Sequence, residues 1–262
     1  MTRVVKIGGR AQTDPQLPFA LAAAAQFASE GRDNALCVVH GGGDEVSALQ
    51  RRLGLEPQFR NGRRVTSTGD LEIVRMVLSG TINKRLVAAL LSQGIRAVGI
   101  SGEDGLLFTA PVADGAIMGR VGGAVSVDAT IVRLLLAAGF VPVISPLARD
   151  AGDSAGAGLN VNGDDAAAAL AVSLGADELV LVADVPGVIE DGEVIPELDA
   201  NGVHGLIARG VASGGMVAKL EAGLAALRGG VVAVRISALD GITDRGVGTH
   251  VVLSLTATRG AT

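Results

Sequence analysis

The fold is decided by the stretch Ala35-Leu36-Cys37-Val38-Val39-His40-Gly41-Gly42-Gly43, in which a run of apolar residues leads directly into three glycines. The segment Arg3-Val4-Val5-Lys6-Ile7-Gly8-Gly9 repeats this form, with one lysine inside its apolar run. Each segment predicts a short buried strand followed by a glycine-rich turn, where backbone N–H groups can bind an anion. Since both turns follow a strand, we expect a parallel sheet with a binding crevice at the carboxyl ends of its strands.

Strand and helix patterns alternate along the rest of the chain. Apolar stretches at 97–102, 141–145, 178–183 and 231–236 predict further strands, with helical segments between them. A glycine-rich stretch at 119–127 predicts an inserted antiparallel ribbon. The alternation indicates an α/β fold with a mainly parallel central sheet, and a second unit that begins near residue 178 indicates two lobes.

The composition is that of a globular protein with an aliphatic core. Among 262 residues 48% are hydrophobic, and tryptophan and tyrosine are absent, so the core must consist of valine, isoleucine, leucine and alanine. The formal net charge of −5 argues against a general nucleic-acid or anionic-membrane surface. With no apolar leader and no apolar run of membrane-spanning length, we expect a cytoplasmic protein without nucleic-acid or membrane partners.

Cysteine and histidine are too sparse to suggest a redox or metal centre. The one cysteine, Cys37, cannot form an internal disulfide, and its apolar neighbours predict a small buried side chain. His40, His204 and His250 are dispersed without the spacing of metal ligands, so we expect no metal site in the protein. No Ser-His-Asp or Cys-His set indicates nucleophilic catalysis.

The segment Leu159-Asn160-Val161-Asn162-Gly163-Asp164-Asp165 carries two carboxamides and two carboxylates directly before an alanine-rich helix. Asparagine and aspartate are preferred helix caps, and carboxylates are favoured near the positive end of the helix dipole. A cap needs only one such side chain. The surplus indicates that polar groups at this helix start are directed at other charged groups or at a ligand.

Three cationic positions lie near turns. Lys6 lies within the first strand, and Lys219 lies early in a helix that follows Ser213-Gly214-Gly215. A lysine near the positive end of a helix is unfavourable unless an anion binds there. One arginine of the pair Arg63-Arg64 could bind an anionic substrate through its planar guanidinium, or both could be exposed on a solvated turn. Cations and N–H donors are what phosphoryl transfer requires of a protein.

In order and spacing, these motifs resemble the amino acid kinase superfamily along nearly the whole chain, with the acetylglutamate kinases as the most similar branch. The matching segments are residues 6–9, 38–43, 61–66, 82–84, 160–164, 183–187, 215–219 and 246–249. The stretch Asn61-Gly62-Arg63-Arg64-Val65-Thr66 favours acetylglutamate kinases over the related uridylate, aspartate and glutamate 5-kinases.

The resemblance implies a three-layer α/β sandwich that transfers the γ-phosphoryl group of ATP to the γ-carboxylate of N-acetyl-L-glutamate. The implied product is N-acetyl-L-glutamyl 5-phosphate, an intermediate of arginine biosynthesis. The resemblance assigns acetylglutamate binding and dimerisation to a lobe at residues 1–175, and ATP binding to a lobe at residues 176–262. It also implies a homodimer, and Mg²⁺ held mainly by the ATP phosphates rather than by protein ligands.

The functional residues that the resemblance implies are carried over by position. Lys6 and Lys219 would neutralise charge on the moving phosphoryl group, and Asp164 would hold both lysines in place. Acetylglutamate binding is implied for Gly42, Gly43, Arg64 and Asn160. ATP binding is implied for Gly8, Gly9, Asp184, Gly187, Val211, Ala212 and Ser213. By register, we expect Asp165 to serve only the helix dipole, and Asn162 has no assigned role.

Other functions remain open at this point. A related kinase of lysine biosynthesis acts on acetylaminoadipate or acetylglutamate linked to a small acidic carrier protein, although a net charge of −5 disfavours such a partner. A non-catalytic nucleotide or amino acid sensor on the same fold is disfavoured by the presence of both lysines and the aspartate. A dinucleotide-dependent oxidoreductase is less favoured still, because the first turn lacks the G-x-G-x-x-G pattern.

Two features depart from the family pattern. The segment between Ile236 and Gly246 is too short for the helix that usually precedes the final glycine turn. The first strand starts almost at Met1, without the additional helix through which arginine-inhibited members form hexamers. We therefore expect a dimer that arginine does not inhibit.

Overall fold

The structure is a computed structural model that describes residues 1–29, 35–60, 62–153 and 157–254. Asn61, the first residue of the motif at 61–66, lies outside the described residues. The strands are β1 Thr2–Ile7, β2 Ala35–His40, β3 Phe59–Arg60, β4 Arg63–Arg64, β5 Ala97–Ser101, β6 Phe108–Ala110, β7 Ser126–Val127, β8 Val141–Ser145, β9 Leu147–Asp150, β10 Gly158–Asn160, β11 Glu178–Val182, β12 Ile189–Glu190, β13 Glu193–Val194, β14 Glu197–Leu198, β15 Ala233–Ser237 and β16 Thr249–Val251.

The α-helices are α1 Leu17–Ser29, α2 Gly43–Arg52, α3 Thr68–Arg75, α4 Asn83–Ser92, α5 Gly115–Met118, α6 Thr130–Ala137, α7 Gly163–Leu174, α8 Ala200–Ala208 and α9 Gly215–Arg228. A π-helix at Met76–Ile82 joins α3 to α4, and short 3₁₀ helices lie at Gly9–Thr13, Asp104–Leu106 and Leu239–Ile242. Among the residues described, helices lack the length and apolar character that crossing a bilayer requires.

An eight-stranded sheet forms the centre of the fold, in the order β14-β16-β15-β11-β1-β2-β8-β5. All neighbouring strands are parallel except β15 and β16. The predicted mainly parallel sheet is therefore confirmed. Because β1 and β2 are paired from Thr2↔Ala35 to Ile7↔His40, the two glycine turns leave the same edge of the sheet side by side.

Helices cover both faces of this sheet, which gives the expected three layers. Val4 of β1 belongs to the core that includes residues of α7 and α9, whereas Val5 and Ile7 belong to the core that includes residues of α1, α3 and α4. Burial on both faces explains why the strands are continuous apolar runs. Lys6 shares the face of Val4, so its ammonium group needs a partner on the α7 side of the sheet.

The stretch at 119–127 is an antiparallel ribbon only in part. Its end, β7, pairs antiparallel with β6, but β6 also pairs parallel with β9. The result is a second, four-stranded sheet in the order β10-β9-β6-β7. A bridge between Val121 and Asn160 ties this ribbon to the end of β10, from which the chain enters α7.

The start of α7 corrects two expectations about the Asn/Asp segment. Asn162, which had no predicted role, is the N-cap, because its Oδ1 accepts the N–H groups of Asp164 at 2.8 Å and Asp165 at 3.2 Å. Asp165 does not serve the helix dipole alone, since its carboxylate forms an ion pair with Arg63 at 2.8 Å. With the cap supplied by Asn162, the carboxylate of Asp164 is directed elsewhere.

The short segment after β15 contains a 3₁₀ helix and no α-helix, as its length predicts. Arg235 holds this segment, since its guanidinium donates to the carbonyl oxygens of Gly241, Asp244 and Val247 at 2.7–3.0 Å. The same guanidinium binds Glu178 of β11 at 2.8 Å, and both side chains are buried. One buried arginine thus orders a loop that has no helix of its own.

Candidate active site

Lys6, Asp164 and Lys219 form one contact set at the carboxyl ends of the central strands. Lys6 comes from β1, Asp164 from the first turn of α7 and Lys219 from the second turn of α9. The Nζ of Lys6 lies 2.8 Å from Oδ1 of Asp164, and the Nζ of Lys219 lies 3.4 Å from its Oδ2. The predicted meeting of two lysines from opposite ends of the chain on one carboxylate is confirmed.

These three charges are buried, and their surroundings shift the pKa values of Asp164 and Lys219. Asp164 is 4% exposed and Lys6 is 6% exposed. Burial alone would raise the pKa of Asp164, but the charges of Lys6 and Lys219 outweigh it and hold the pKa below its ordinary value. Burial, together with the charge of Lys6, lowers the pKa of Lys219 despite the attraction of Asp164. Two ammonium groups around one carboxylate leave a net positive charge, which favours a bound anion.

A cavity, named here the Arg64 cavity, lies on one side of this set. Its volume of about 200 Å³ is below the roughly 300–1,000 Å³ of pockets for drug-sized ligands, so it fits a small molecule. The glycine turn after β2, the β3–β4 hairpin and the segment from β10 into α7 form its walls. Its lining includes Gly42, Gly43, Arg63, Arg64, Asn160 and Gly163.

Arg64 is 8% exposed and is held by several neighbours. Its Nη2 donates to the carbonyl oxygen of Gly43 and to Oγ of Ser47, both at 2.7 Å, and its Nη1 donates to Oε1 of Gln50. The ring centroid of Phe59 lies 4.7 Å from the guanidinium carbon. Among the described residues these bonds use three of the five N–H donors of an arginine, so two donors are left to bind an anion.

Asn160 and the β3–β4 hairpin complete the cavity. Asn160 donates from Nδ2 to Oγ1 of Thr66 at 3.1 Å, which orients its amide. The ion pair between Arg63 and Asp165 fastens the hairpin to the start of α7. The two adjacent arginines thus have different contacts: Arg64 is buried at the cavity and Arg63 joins two elements, so the alternative of two solvated cations is excluded.

The glycine turn after β2 is tightly packed. Gly42 has a φ of +150°, and a Cβ placed there would lie 2.2 Å from Cδ1 of Ile82. The amide of Gln12 lies against the peptide between Gly41 and Gly42, 3.2 Å from each of its polar atoms. Only one orientation of this amide satisfies both contacts, in which its nitrogen donates to the Gly41 carbonyl oxygen and its oxygen accepts the Gly42 N–H. The N–H of Gly43 instead belongs to the positive end of α2, where first-turn N–H groups have no partner within the helix.

A second cavity, named here the Asp184 cavity, is lined by Gly8, Gly9, Asp184, Gly215, Met216 and Lys219. Gly9 has a φ of +56°, and a Cβ there would lie 2.6 Å from Oδ2 of Asp184. A Cβ on Gly8 would lie 2.6 Å from Nζ of Lys6, so this glycine makes room for the ammonium group. A neighbouring cavity extends past Asp184 to Asp14 and Asp240.

The lysine–aspartate set lies where the two cavities approach each other. A Cβ placed on Gly163, which lines the Arg64 cavity, would lie 3.3 Å from Cε of Lys6. The Nζ of Lys6 meets Gly8, and Lys219 itself lines the Asp184 cavity. A group that moves from a molecule in one cavity to a molecule in the other would pass both ammonium groups.

The remaining residues predicted to bind ATP do not line the Asp184 cavity. Gly187 is buried, and a Cβ there would lie 2.8 Å from Oγ1 of Thr249, which is a packing reason for the glycine. Val211 is exposed, Ala212 is buried in the core, and Ser213 follows on the same loop before α9. Their assignment to ATP stays a prediction.

Comparison with known proteins connects this geometry to a family. A sequence model described as the amino acid kinase family matches residues 1–237. The chain belongs to the amino acid kinase family. This amino acid kinase is 46% identical over 245 residues to a protein of Chloroflexus aurantiacus named acetylglutamate kinase, and the match covers 93% of this chain and 94% of that protein.

Solved structures agree with the family assignment. A crystal structure from Streptococcus mutans UA159 superposes on this amino acid kinase with a TM-score of 0.85 at 26% identity, covering 97% of this chain and 99% of that one. N-acetylglutamate synthase from Neisseria gonorrhoeae, complexed with coenzyme A and N-acetyl-glutamate, superposes with a TM-score of 0.81 at 28% identity. That match covers 97% of this chain and 60% of the synthase. The predicted fold class is confirmed.

Several side chains that shape the site were not identified from the sequence. Ser47 and Gln50, which hold Arg64, are three residues apart and therefore on one face of α2, and this spacing is the signal that could have found them. His40 and Asn83 are both fully buried and in contact, yet no local pattern links them.

Proposed function

We propose that this amino acid kinase transfers the γ-phosphoryl group of ATP to the γ-carboxylate of N-acetyl-L-glutamate, the second step of arginine biosynthesis. The observation that carries the proposal is the buried set of Lys6, Asp164 and Lys219 between two cavities, one of which contains the buried arginine Arg64. The name of the relative from Chloroflexus aurantiacus supports the choice of acceptor.

N-acetyl-L-glutamate occupies the Arg64 cavity in this proposal. The acceptor is a small dianion, and one of its carboxylates pairs with the two N–H donors of Arg64 that no described residue accepts. Asn160, whose amide is oriented by Thr66, binds the acceptor through its remaining polar atoms. The γ-carboxylate then faces the N–H of Gly43 and the ammonium group of Lys6, while Gly42 forms the adjacent wall.

ATP occupies the Asp184 cavity, with its γ-phosphoryl group at Lys219 and at the backbone of Gly8 and Gly9. Within the described residues, no group of three or more His, Cys, Asp or Glu side chains is arranged to hold a metal ion. In this proposal Mg²⁺ enters as MgATP, coordinated mainly by phosphate oxygens. The further ATP contacts in this proposal are Asp184, Gly187, Val211, Ala212 and Ser213.

The reaction needs charge neutralisation and no general base. An ordinary glutamate carboxyl has a pKa of about 4.3, so the acceptor oxygen is already ionised at neutral pH and attacks phosphorus without losing a proton. A bond forms from this oxygen to the γ-phosphorus as the bond to the β,γ-bridging oxygen breaks, which yields the acyl phosphate and ADP. Lys6 and Lys219 neutralise the transferred group, and Asp164 holds both ammonium groups in place.

The proposal includes the two lobes and the assembly. Residues 1–175 bind the acceptor and form the dimer contact, and residues 176–262 bind ATP. The protein acts as a cytoplasmic homodimer that arginine does not inhibit. Light scattering after size-exclusion chromatography should give twice the chain mass of 26.2 kDa. A hexamer, or inhibition by arginine, would contradict this part of the proposal.

An assay of ADP release across several acceptors tests the proposed function. We expect turnover with N-acetyl-L-glutamate and none with glutamate, aspartate, UMP or carrier-linked acetylaminoadipate. Hydroxylamine converts an acyl phosphate to a hydroxamate, so its product separates transfer to a carboxylate from ATP hydrolysis. Binding of ATP and acetylglutamate without ADP release would indicate a sensor, and turnover of the carrier-linked substrate alone would indicate the kinase of lysine biosynthesis.

A further inference from the structure

His40 and Asn83 form a buried polar pair beside the glycine turn. Both side chains are 0% exposed. The Nδ2 of Asn83 lies 3.2 Å from Nε2 of His40, and Nδ1 of His40 lies 2.9 Å from the carbonyl oxygen of Gly41. Neither side chain is among the described residues that line the Arg64 cavity or the Asp184 cavity, so neither contacts a substrate in the proposed reaction.

The surroundings of Asn83 leave one orientation for its amide. Its Nδ2 faces the carbonyl oxygens of Val143 at 2.8 Å and Ile100 at 3.5 Å, which can only accept hydrogen bonds. Its Oδ1 accepts a hydrogen bond from the ammonium group of Lys84 at 3.2 Å. A flipped amide would place acceptor against acceptor and donor against donor. Asn83 therefore presents an N–H to His40.

This orientation fixes the tautomer of His40. Because Asn83 donates, Nε2 of His40 is the unprotonated acceptor, and the single proton of the neutral ring lies on Nδ1. Burial lowers the pKa of His40 to about 4, so the ring is neutral at physiological pH. The Nδ1–H group then donates to the carbonyl oxygen of Gly41.

The Gly41 carbonyl oxygen belongs to the peptide that leads into Gly42. Gln12 contacts both polar atoms of this peptide at 3.2 Å, and the N–H of Gly41 donates to the carbonyl oxygen of Ile7 at 2.9 Å. Glycines give the turn no side-chain restraint of their own. Its conformation therefore depends on these external hydrogen bonds, and a rotated peptide would change the direction of the N–H groups that follow.

We infer that His40 and Asn83 are positioning residues that hold the glycine turn in the conformation that binds the acceptor and the transferred phosphoryl group. The chain of hydrogen bonds runs from Lys84 through Asn83 and His40 to the carbonyl oxygen of Gly41. The kinetic consequence of this inference rests on the proposed function, whereas the tautomer of His40 does not.

Two substitutions of His40 separate the contributions of its ring nitrogens. In His40→Asn, the amide nitrogen is attached at the position of Nδ1 and can still donate to Gly41, but it does not reach Asn83. In His40→Gln, the amide reaches the position of Nε2 and meets Asn83, but the side chain at position 40 no longer donates to Gly41, whose carbonyl oxygen keeps only the amide of Gln12. Each variant loses one buried hydrogen bond, so a purely structural role predicts similar losses of stability and of activity for both.

A positioning role predicts that the two variants differ in kcat/KM. We expect His40→Gln to lower kcat/KM for N-acetyl-L-glutamate by about 10²-fold, the loss that a displacement near 1 Å can cause in an active site. The loss should arise mainly from kcat, and KM for ATP should change little. We expect His40→Asn to keep kcat/KM within about tenfold of the wild-type value. Thermal unfolding of both variants is the control. Equal losses of kcat/KM at equal stability would overturn the inference.

Nitrogen-15 NMR of the wild-type protein tests the tautomer without any substrate. The chain has three histidines, and the spectrum of His40→Asn identifies the signals of His40 by their absence. We expect a proton on Nδ1 and none on Nε2 at neutral pH. A proton on Nε2 would overturn the inference even if acetylglutamate is the substrate. If the wild-type protein does not phosphorylate acetylglutamate, the proposed function fails, and the NMR result still decides the inference.

Discussion

Asp164 accepts two ammonium groups, and this sharing explains how a buried site can keep two cations. A lone buried lysine tends to lose its proton, because burial disfavours the charged form. The carboxylate of Asp164 opposes that effect at Lys219 without cancelling it, and its other oxygen pairs with Lys6, so one anion serves two cations. The arrangement is suited to a transition state whose negative charge is spread over the oxygens of the transferred group.

Removal of either lysine should act on the chemical step. We expect Lys6→Ala and Lys219→Ala each to lower kcat by roughly 10²-fold or more, the loss typical of one preorganised electrostatic group. Arg64→Ala should act mainly on KM for N-acetyl-L-glutamate, because its guanidinium lines the acceptor side alone. Steady-state kinetics with circular dichroism as a folding control check both. The reverse pattern would mean that binding and chemistry have been assigned to the wrong residues.

The lowered pKa of Lys219 predicts a limit to activity in alkaline solution. Burial, with the charge of Lys6, moves its deprotonation to a lower pH than for an ordinary lysine. Since only the ammonium form is active, kcat/KM should fall as pH rises through this pKa. Lys219→Arg, which stays protonated throughout this range, should lack the fall even if its activity is lower. An alkaline limb that is identical in both proteins would assign the titration to another group.

The β3–β4 hairpin depends on one ion pair for its attachment to α7. Arg63 and Asp165 are 40% and 29% exposed, and pairs of this kind contribute at most about 1 kcal/mol. We therefore expect Arg63→Ala to raise KM for N-acetyl-L-glutamate by no more than about fivefold, with kcat nearly unchanged. Asp165→Asn should have a similar effect.

Arg60→Ala is the matched control for the hairpin, because it removes a cation from the same hairpin and leaves the pair of Arg63 with Asp165 in place. The double variant of Arg63 and Asp165 should be no worse than either single variant. Additive losses would show that the two side chains act independently, and that the ion pair does not hold the hairpin.

A buried ion network joins the two halves of the sheet. Glu178 of β11 binds Arg3 of β1 and Arg235 of β15, each at 2.8 Å, and Arg3 also donates to the carbonyl oxygen of Ile242. The network therefore links three adjacent strands to the loop after β15. Arg3 is paired with Glu178 in the sheet, and Lys6 is paired with Leu181 three residues further along both strands.

Removal of the shared carboxylate should destabilise the whole fold. Glu178→Gln leaves two buried guanidinium groups without their anion, and breaking such a network costs about 3–5 kcal/mol. Urea unfolding at neutral pH measures this loss. The folded fraction should keep nearly the wild-type kcat, because Glu178 lies away from the lysine set. A loss below about 1 kcal/mol would show that the network is solvated like a surface ion pair.

Local sequence patterns were sufficient for most of the fold. The apolar runs of β1, β2, β8 and β11 have the composition of strands buried on both faces, and the glycines that follow β1 and β2 mark where the crevice begins. The N-cap of α7 also depends only on neighbouring residues. The sequence did not identify Asn162 as this cap, because four polar side chains in the segment were candidates for it. The nearby glycine turns indicated Lys6 and Lys219 from local sequence, whereas only position within the family motifs indicated that Asp164 holds both lysines.

The amino-acid sequence alone therefore specified the parallel sheet, its two glycine turns and the charged residues between them, because strand burial and turn formation depend on neighbouring residues. The three-dimensional fold settled which polar side chains meet. Asp164 contacts a lysine 55 residues away, Arg63 contacts Asp165 across 102 residues, and His40 contacts Asn83 across 43. No local periodicity encodes such pairs, since each exists only where packed strands and helices bring distant side chains within hydrogen-bond distance.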